Sequence, residues 1–60
     1  MRLSKLADVM KEKRIRSEEL AAMAMLGIST VKTAKSGKDV SDNTAKRIAR
    51  AMKVKEEDLA

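Results

Sequence analysis

The chain has 60 residues, with 14 lysines and arginines against 9 acids, a net charge of +5 and a pI near 9.9. It contains no cysteine and no histidine, which excludes disulfide staples and zinc sites of the usual Cys/His type. No apolar run approaches the ~18–20 residues of a membrane span, and the N-terminus alternates charged and apolar groups rather than reading as a signal peptide. Strand-like alternation is absent, and apolar residues recur at spacings of three and four, so helices are predicted throughout.

The first helix is predicted from Ser4, its cap, to about Lys13, with Leu6, Val9, Met10 and the stem of Lys13 on one stripe. Ile15 enters the core from the connection. A second helix starts at Ser17 as N-cap, with Glu18 and Glu19 at the positive end of its dipole. Leu20, Ala21 and Ala24 form its inner face, which leaves Ala22 and Met23 outside. A third helix runs from about Ile28 to Lys35, and Gly37 then turns left-handed to end it. Ser41 caps the fourth, and Ala45, Ile48, Ala49 and Met52 define its buried face. Val40, just before that cap, packs back on Ala45 as a hydrophobic staple. Val54 and Leu59 bracket a last turn over about Lys55 to Leu59. The expectation is one all-α domain, residues 1–60, built of five short helices. It has no aromatic residue to enlarge its core, and about 2–5 kcal/mol is the stability to expect at this size.

Read without gaps, "SEELAAMA", "LGISTVKTAKSGK" and "VSDNTAKRIARAMKVKEEDL" resemble the phage repressor and Cro family of helix-turn-helix DNA-binding domains, with the likeness covering Leu6 to Leu59. The resemblance places Leu20, Ala21, Ala24, Leu26, Val31 and Gly37 on the family's core and closing glycine. Ile48, Ala49, Met52, Val54 and Leu59 fall on its last two helices. It implies a compact five-helix repressor-like fold and a DNA-binding transcriptional regulator, working as a dimer on paired half-sites.

Three positions depart from the family pattern. Met25 stands where the family usually has its turn glycine, and Gly27 where a polar cap opens the third helix. Sliding Gly27 back to the turn would add two residues to helix two and move Val31 and Ala34 off the core face. The ungapped register is therefore preferred, with Met25 in a glycine-like conformation at a cost of roughly 1 kcal/mol. Lys35 is the other departure, since many members place an acid there. In this chain it stands opposite Met10, where its stem can lie over the methionine while the ammonium stays in water.

Charge distribution and helical period give the candidate site. Leu26 to Lys38 holds Lys32, Lys35 and Lys38 and no acid. If Val31 and Ala34 face inward, then Ile28, Ser29, Lys32, Thr33 and Ser36 face outward. An α-helix fits the major groove. There Lys32 can donate to guanine, Ser29 and Thr33 can donate or accept, and Ile28 can meet a thymine methyl. Arg16, Ser17, Lys35, Lys38, Ser41 and Asn43 are the candidate phosphate contacts, grouped near the starts of helices two and four and the end of helix three. Lys46, Arg47 and Arg50 are read as a solvated face. The implied partner is a double-stranded DNA operator, in a reducing, cytoplasmic setting. No cofactor, metal, membrane or small-molecule substrate is expected, and an enzyme is not, because the carboxylates fall on caps and solvent faces. Association is expected to be weak without DNA, near Val54 to Leu59 by family analogy. The alternative is an interaction module of the same fold, antitoxin-like or a repressor antagonist, to which exposed Met23 and unusual Met25 would point.

Overall fold

The computed structural model describes residues 1–60. Five helices follow in order: α1 (Leu6–Lys13), α2 (Ser17–Ala24), α3 (Ile28–Lys35), α4 (Asp42–Met52) and α5 (Glu56–Leu59). The all-α, five-helix expectation holds. The sole β feature is an isolated antiparallel bridge between Arg2 and Asp39.

The core is entirely apolar. It joins Leu3, Leu6, Met10, Leu20, Ala21, Val31, Ala34, Ala45, Ile48, Ala49, Met52 and Leu59. Helix α2 packs on both α3 and α4, α1 packs on α3, and α5 closes against α4. Alanines at the α2, α3 and α4 contacts let these short helices approach closely. Close approach matters here, because no aromatic side chain is available to fill a wider gap.

Three of the helices end in the same way. Arg14, Met25 and Lys53 each take the left-handed conformation, with φ of 57, 57 and 58°. The next residue then sends its N–H back to a carbonyl five residues earlier: Ile15 to Met10 at 2.9 Å, Leu26 to Ala21 at 2.8 Å and Val54 to Ala49 at 3.0 Å. This is the Schellman ending, in which an apolar residue just past the turn packs over the last turn of the helix. Ile15, Leu26 and Val54 are all partly buried against the core, and the residues they bond to are buried. Burial of that following apolar residue draws the chain back over the helix, although none of the three turn residues is glycine. The Met25 geometry agrees with the ungapped reading; the same geometry at Arg14 and Lys53 was not foreseen. Helix α3 ends differently, through Gly37 at φ 88°.

Two expected caps are corrected. Ser4 does not cap α1. Lys5 occupies that place in right-handed geometry without a side-chain hydrogen bond. The cause is Leu3, which is 1 % exposed and accepts the Leu6 N–H at 3.0 Å, so Ser4 and Lys5 are spent on a tight turn that buries both leucines. Ser17 does not cap α2 either; it is the first helical residue, and extended Arg16 is the N-cap. The Arg16 carbonyl already accepts from Leu20 at 2.9 Å, and its N–H donates to Oε1 of Glu19 at 3.3 Å. Lys55 repeats the arrangement at α5, donating its N–H to Oδ2 of Asp58 at 3.1 Å. Arginine and lysine have no side-chain acceptor, so only the return half of a capping box forms. Ser41 does cap α4, accepting from the Thr44 N–H at 3.2 Å. Val40 is half-buried against the core that contains Ala45, where a staple belongs. Lys13 is exposed, its place on the stripe taken by Ile15.

The N-terminal segment is stitched to the loop after α3. The Met1 ammonium pairs with Oδ1 of Asp39 and donates to the Val40 carbonyl at 2.7 Å, while the Val40 N–H donates to the Met1 carbonyl at 2.8 Å. The Lys5 N–H donates to the Leu59 carbonyl at 2.7 Å, which ties the start of α1 to the end of α5.

Candidate nucleic-acid interface

Helix α3 is held by its inner face alone. Val31 and Ala34 are fully buried, and the helical period then turns Ile28, Ser29, Lys32 and Thr33 outward, all of them exposed. Ser36 follows the last turn and is exposed too. All five expected base-facing residues therefore share one accessible surface with no acid on it.

Two of those side chains are narrower in chemistry than their type suggests. The Thr33 hydroxyl donates to the Ser29 carbonyl at 2.9 Å, and the Ser36 hydroxyl donates to the Thr33 carbonyl at 2.7 Å. With its hydrogen so committed, each hydroxyl offers lone pairs outward. Such a group accepts from an adenine or cytosine amino group rather than donating to guanine. Lys32 is the cationic donor at the centre of this face.

Cationic groups lie beside the C-terminal half of the helix and just past its end. On one side, α1, the start of α2 and α3 enclose a cleft of about 540 Å³. Arg16, Ser17, Lys32 and Lys35 line it, together with Lys11, which the sequence reading did not single out. Its position beside Met10, opposite Lys35, was the available signal. Lys35 and Met10 line the same cleft, as the expected stem-over-methionine arrangement requires. Asp8 and Glu18 also line it, so four cationic groups face two acids. The first N–H groups of α2 lie at Ser17 and beyond, where the helix dipole favours an anion.

Lys38, Ser41 and Asn43 follow the C-terminal end of α3 and are all exposed. Ser41 is less free than expected. Its hydroxyl accepts from the Thr44 N–H and donates to Oγ1 of Thr44 at 2.9 Å. It is a cap first, and any anion there meets Asn43 and the opening N–H groups of α4. Asp39 intrudes between Lys38 and Ser41. The Met1 ammonium, by hydrogen bond and by charge, and the Arg2 guanidinium by charge hold its carboxyl below the ordinary value of 3.8. These partners also offset its negative charge. Nothing local in the sequence foretold this pairing across 38 positions.

The expected association surface at Val54 to Leu59 offers little apolar area, because Leu59 is fully buried in its own chain and Val54 partly so. No cluster of three or more acidic residues is placed to hold a metal ion, and no helix is long and apolar enough to cross a membrane.

Comparison with known families gives one match. Residues 5–60 fit the sequence model of the Cro/C1-type HTH DNA-binding domain. No curated protein and no solved structure matches the chain significantly.

Proposed function

Because the chain belongs to the Cro/C1-type helix-turn-helix DNA-binding family, we propose that it is a sequence-specific transcriptional regulator of repressor type that lays α3 in the major groove. One observation carries this reading: the outward face of α3 is exposed and free of acids, with Lys11, Arg16 and Lys35 in a cleft beside its C-terminal half and exposed Lys38 just past that end. On it, Lys32 donates to guanine O6 or N7, Thr33 and Ser29 meet amino and carbonyl edges, and Ile28 packs on a thymine methyl. Arg16, Lys35 and Lys11 in the cleft, and Lys38 with Asn43 past the end of α3, hold phosphates and fix the register. Two copies bind paired half-sites and associate weakly without DNA, because the surface near Val54 offers little apolar area.

Binding isotherms at several salt concentrations, on selected and scrambled duplexes, separate reading from clamping. Lys32→Ala and Thr33→Ala should change which sequences bind, each lost contact weakening the preferred site by about 1–3 kcal/mol. Lys38→Ala and Arg16→Ala should weaken both duplexes alike and lower the steepness of the salt dependence by about one. A wild-type protein with no preference for any selected site would refute sequence reading. Specific binding indifferent to Lys32 and Thr33 would instead refute this orientation of α3.

A further inference from the structure

Three large apolar side chains remain exposed: Met23 at 51 %, Met25 at 83 % and Ile28 at 44 %. Ile28 belongs to the α3 face. Met23 and Met25 line a groove of about 400 Å³ between the end of α2 and α4, together with Ala24, Ala51, Arg47 and Arg50. No residue of α3 lines it, and no residue of α4 lines the cleft at the start of α2. The groove is thus a separate surface.

Its composition specifies an occupant. The floor is apolar, and thioethers adapt to irregular apolar partners. No acid lines it, and neither arginine has a carboxylate partner, since the molecule's single ion pair is that of the Met1 ammonium with Asp39. Guanidinium groups take carboxylates in bidentate fashion. A nucleic-acid backbone could use the arginines but gains nothing from the methionines. A second copy fits poorly. Its acidic segments at Glu18–Glu19 and Glu56–Asp58 are followed by Leu20 and Leu59, both fully buried and unable to serve as anchors. Face-to-face pairing of two grooves would oppose arginine to arginine. We propose that the groove between α2 and α4 docks an acidic amphipathic helix of another protein, apolar side chains on Met23 and Met25 and carboxylates on Arg47 and Arg50. This site acts alongside DNA binding and does not depend on how α3 is oriented.

The probe is a synthetic amphipathic helix, leucine on one face and glutamate on the other, with a lysine-for-glutamate twin. The reporters are the methyl signals of methionine-labelled protein, with and without the selected duplex. Saturable shifts are expected at Met23 and Met25 and not at buried Met10 and Met52, for the glutamate helix only, and unchanged by excess duplex. Arg47→Gln with Arg50→Gln should weaken that binding about ten-fold while the helical melting curve stays as in the wild type. Equal binding of the lysine twin, displacement of the peptide by duplex, or no saturable shift at about 1 mM peptide would each overturn the proposal. DNA selectivity is read separately by the Lys32 and Lys38 isotherms, so failure here is distinguishable from failure there.

Discussion

Replacing Met25 by glycine tests the turn between α2 and α3 at its most unusual residue. Met25 sits at φ 57° and ψ 45°, where a side chain costs about 1–2 kcal/mol. Glycine removes that strain but adds freedom to the unfolded chain, a loss of about 0.5–1 kcal/mol. The side chain is 83 % exposed, so about one sixth of a burial worth ~1.5–3 kcal/mol is forfeited, roughly 0.3–0.5 kcal/mol. Met25→Gly should therefore fall between about 0.5 kcal/mol less stable and about 1 kcal/mol more stable, with a gain of about 0.5 kcal/mol raising the melting temperature by roughly 2–4 °C. Met25→Ala is the control. It keeps the strain and loses the contact, so it should be slightly less stable than the wild type. Arg14 and Lys53 share the geometry, and glycine at either should act in the same direction as at 25. Urea titration at fixed slope measures all of these. A loss above ~2 kcal/mol for Met25→Gly, or alanine as good as glycine, would show that the residue is a core anchor in relaxed geometry.

Three further outcomes are expected. Leu3→Ala should remove about 2–5 kcal/mol, which is all that a domain of this size holds, leaving it largely unfolded by circular dichroism at 25 °C; a wild-type midpoint would mean that Leu3 is not packed. Asp39 is easier to ionise folded than unfolded, so its pairing stabilises the protein above about its ordinary 3.8, and the gain is lost as pH falls through the lower folded value. Asp39→Asn should flatten that acid limb of the stability curve, and an identical limb in the variant would count against the pairing. Gly27→Ser should change stability by only a few tenths of a kcal/mol, because Gly27 has φ −72° and an added Cβ meets nothing nearer than Ser29 Oγ at 3.8 Å; a loss above ~1 kcal/mol would contradict this.

What the sequence made legible was local and periodic. The inner faces of α2 and α4 followed from spacing, and the outward set on α3 followed from the helical period once the family resemblance put Val31 inside. The register around Met25 followed from asking which alignment keeps Val31 and Ala34 inside. The errors came where burial overrode a local preference. Ser4 is a good cap by residue type, yet Leu3 claims the turn it would need. Ser17 is displaced by one because the Arg16 carbonyl takes the first helical bond. The endings at Arg14 and Lys53 were legible in principle. A buried residue, then an apolar one five positions later, recurs at Met10/Ile15, Ala21/Leu26 and Ala49/Val54. The Met1–Asp39 pairing had no such signal, being a contact between distant segments. The hydroxyl commitments of Thr33 and Ser36 also needed coordinates, because residue type gives capacity and not direction.

Met25 and Gly27 are both departures from the family pattern, and only Met25 is at odds with its backbone. The left-handed turn at 25 would be relaxed by glycine, while position 27 has an ordinary backbone and room for a side chain. Glycine at 25 would suit the isolated domain better, whereas glycine at 27 is already an acceptable N-cap that only a polar residue would improve slightly. Each departure instead alters an outer surface. A side chain at 25 adds exposed thioether to the groove bounded by Arg47 and Arg50. The missing side chain at 27 bares the backbone at the entrance of α3, where the first N–H groups of that helix gather and an anionic partner can come close. Two positions apart, the departures sort onto different faces, one apolar with arginines and one polar and acid-free. Both departures fall on solvent and neither in the core, so each can change without disturbing the packing of Val31 and Ala34.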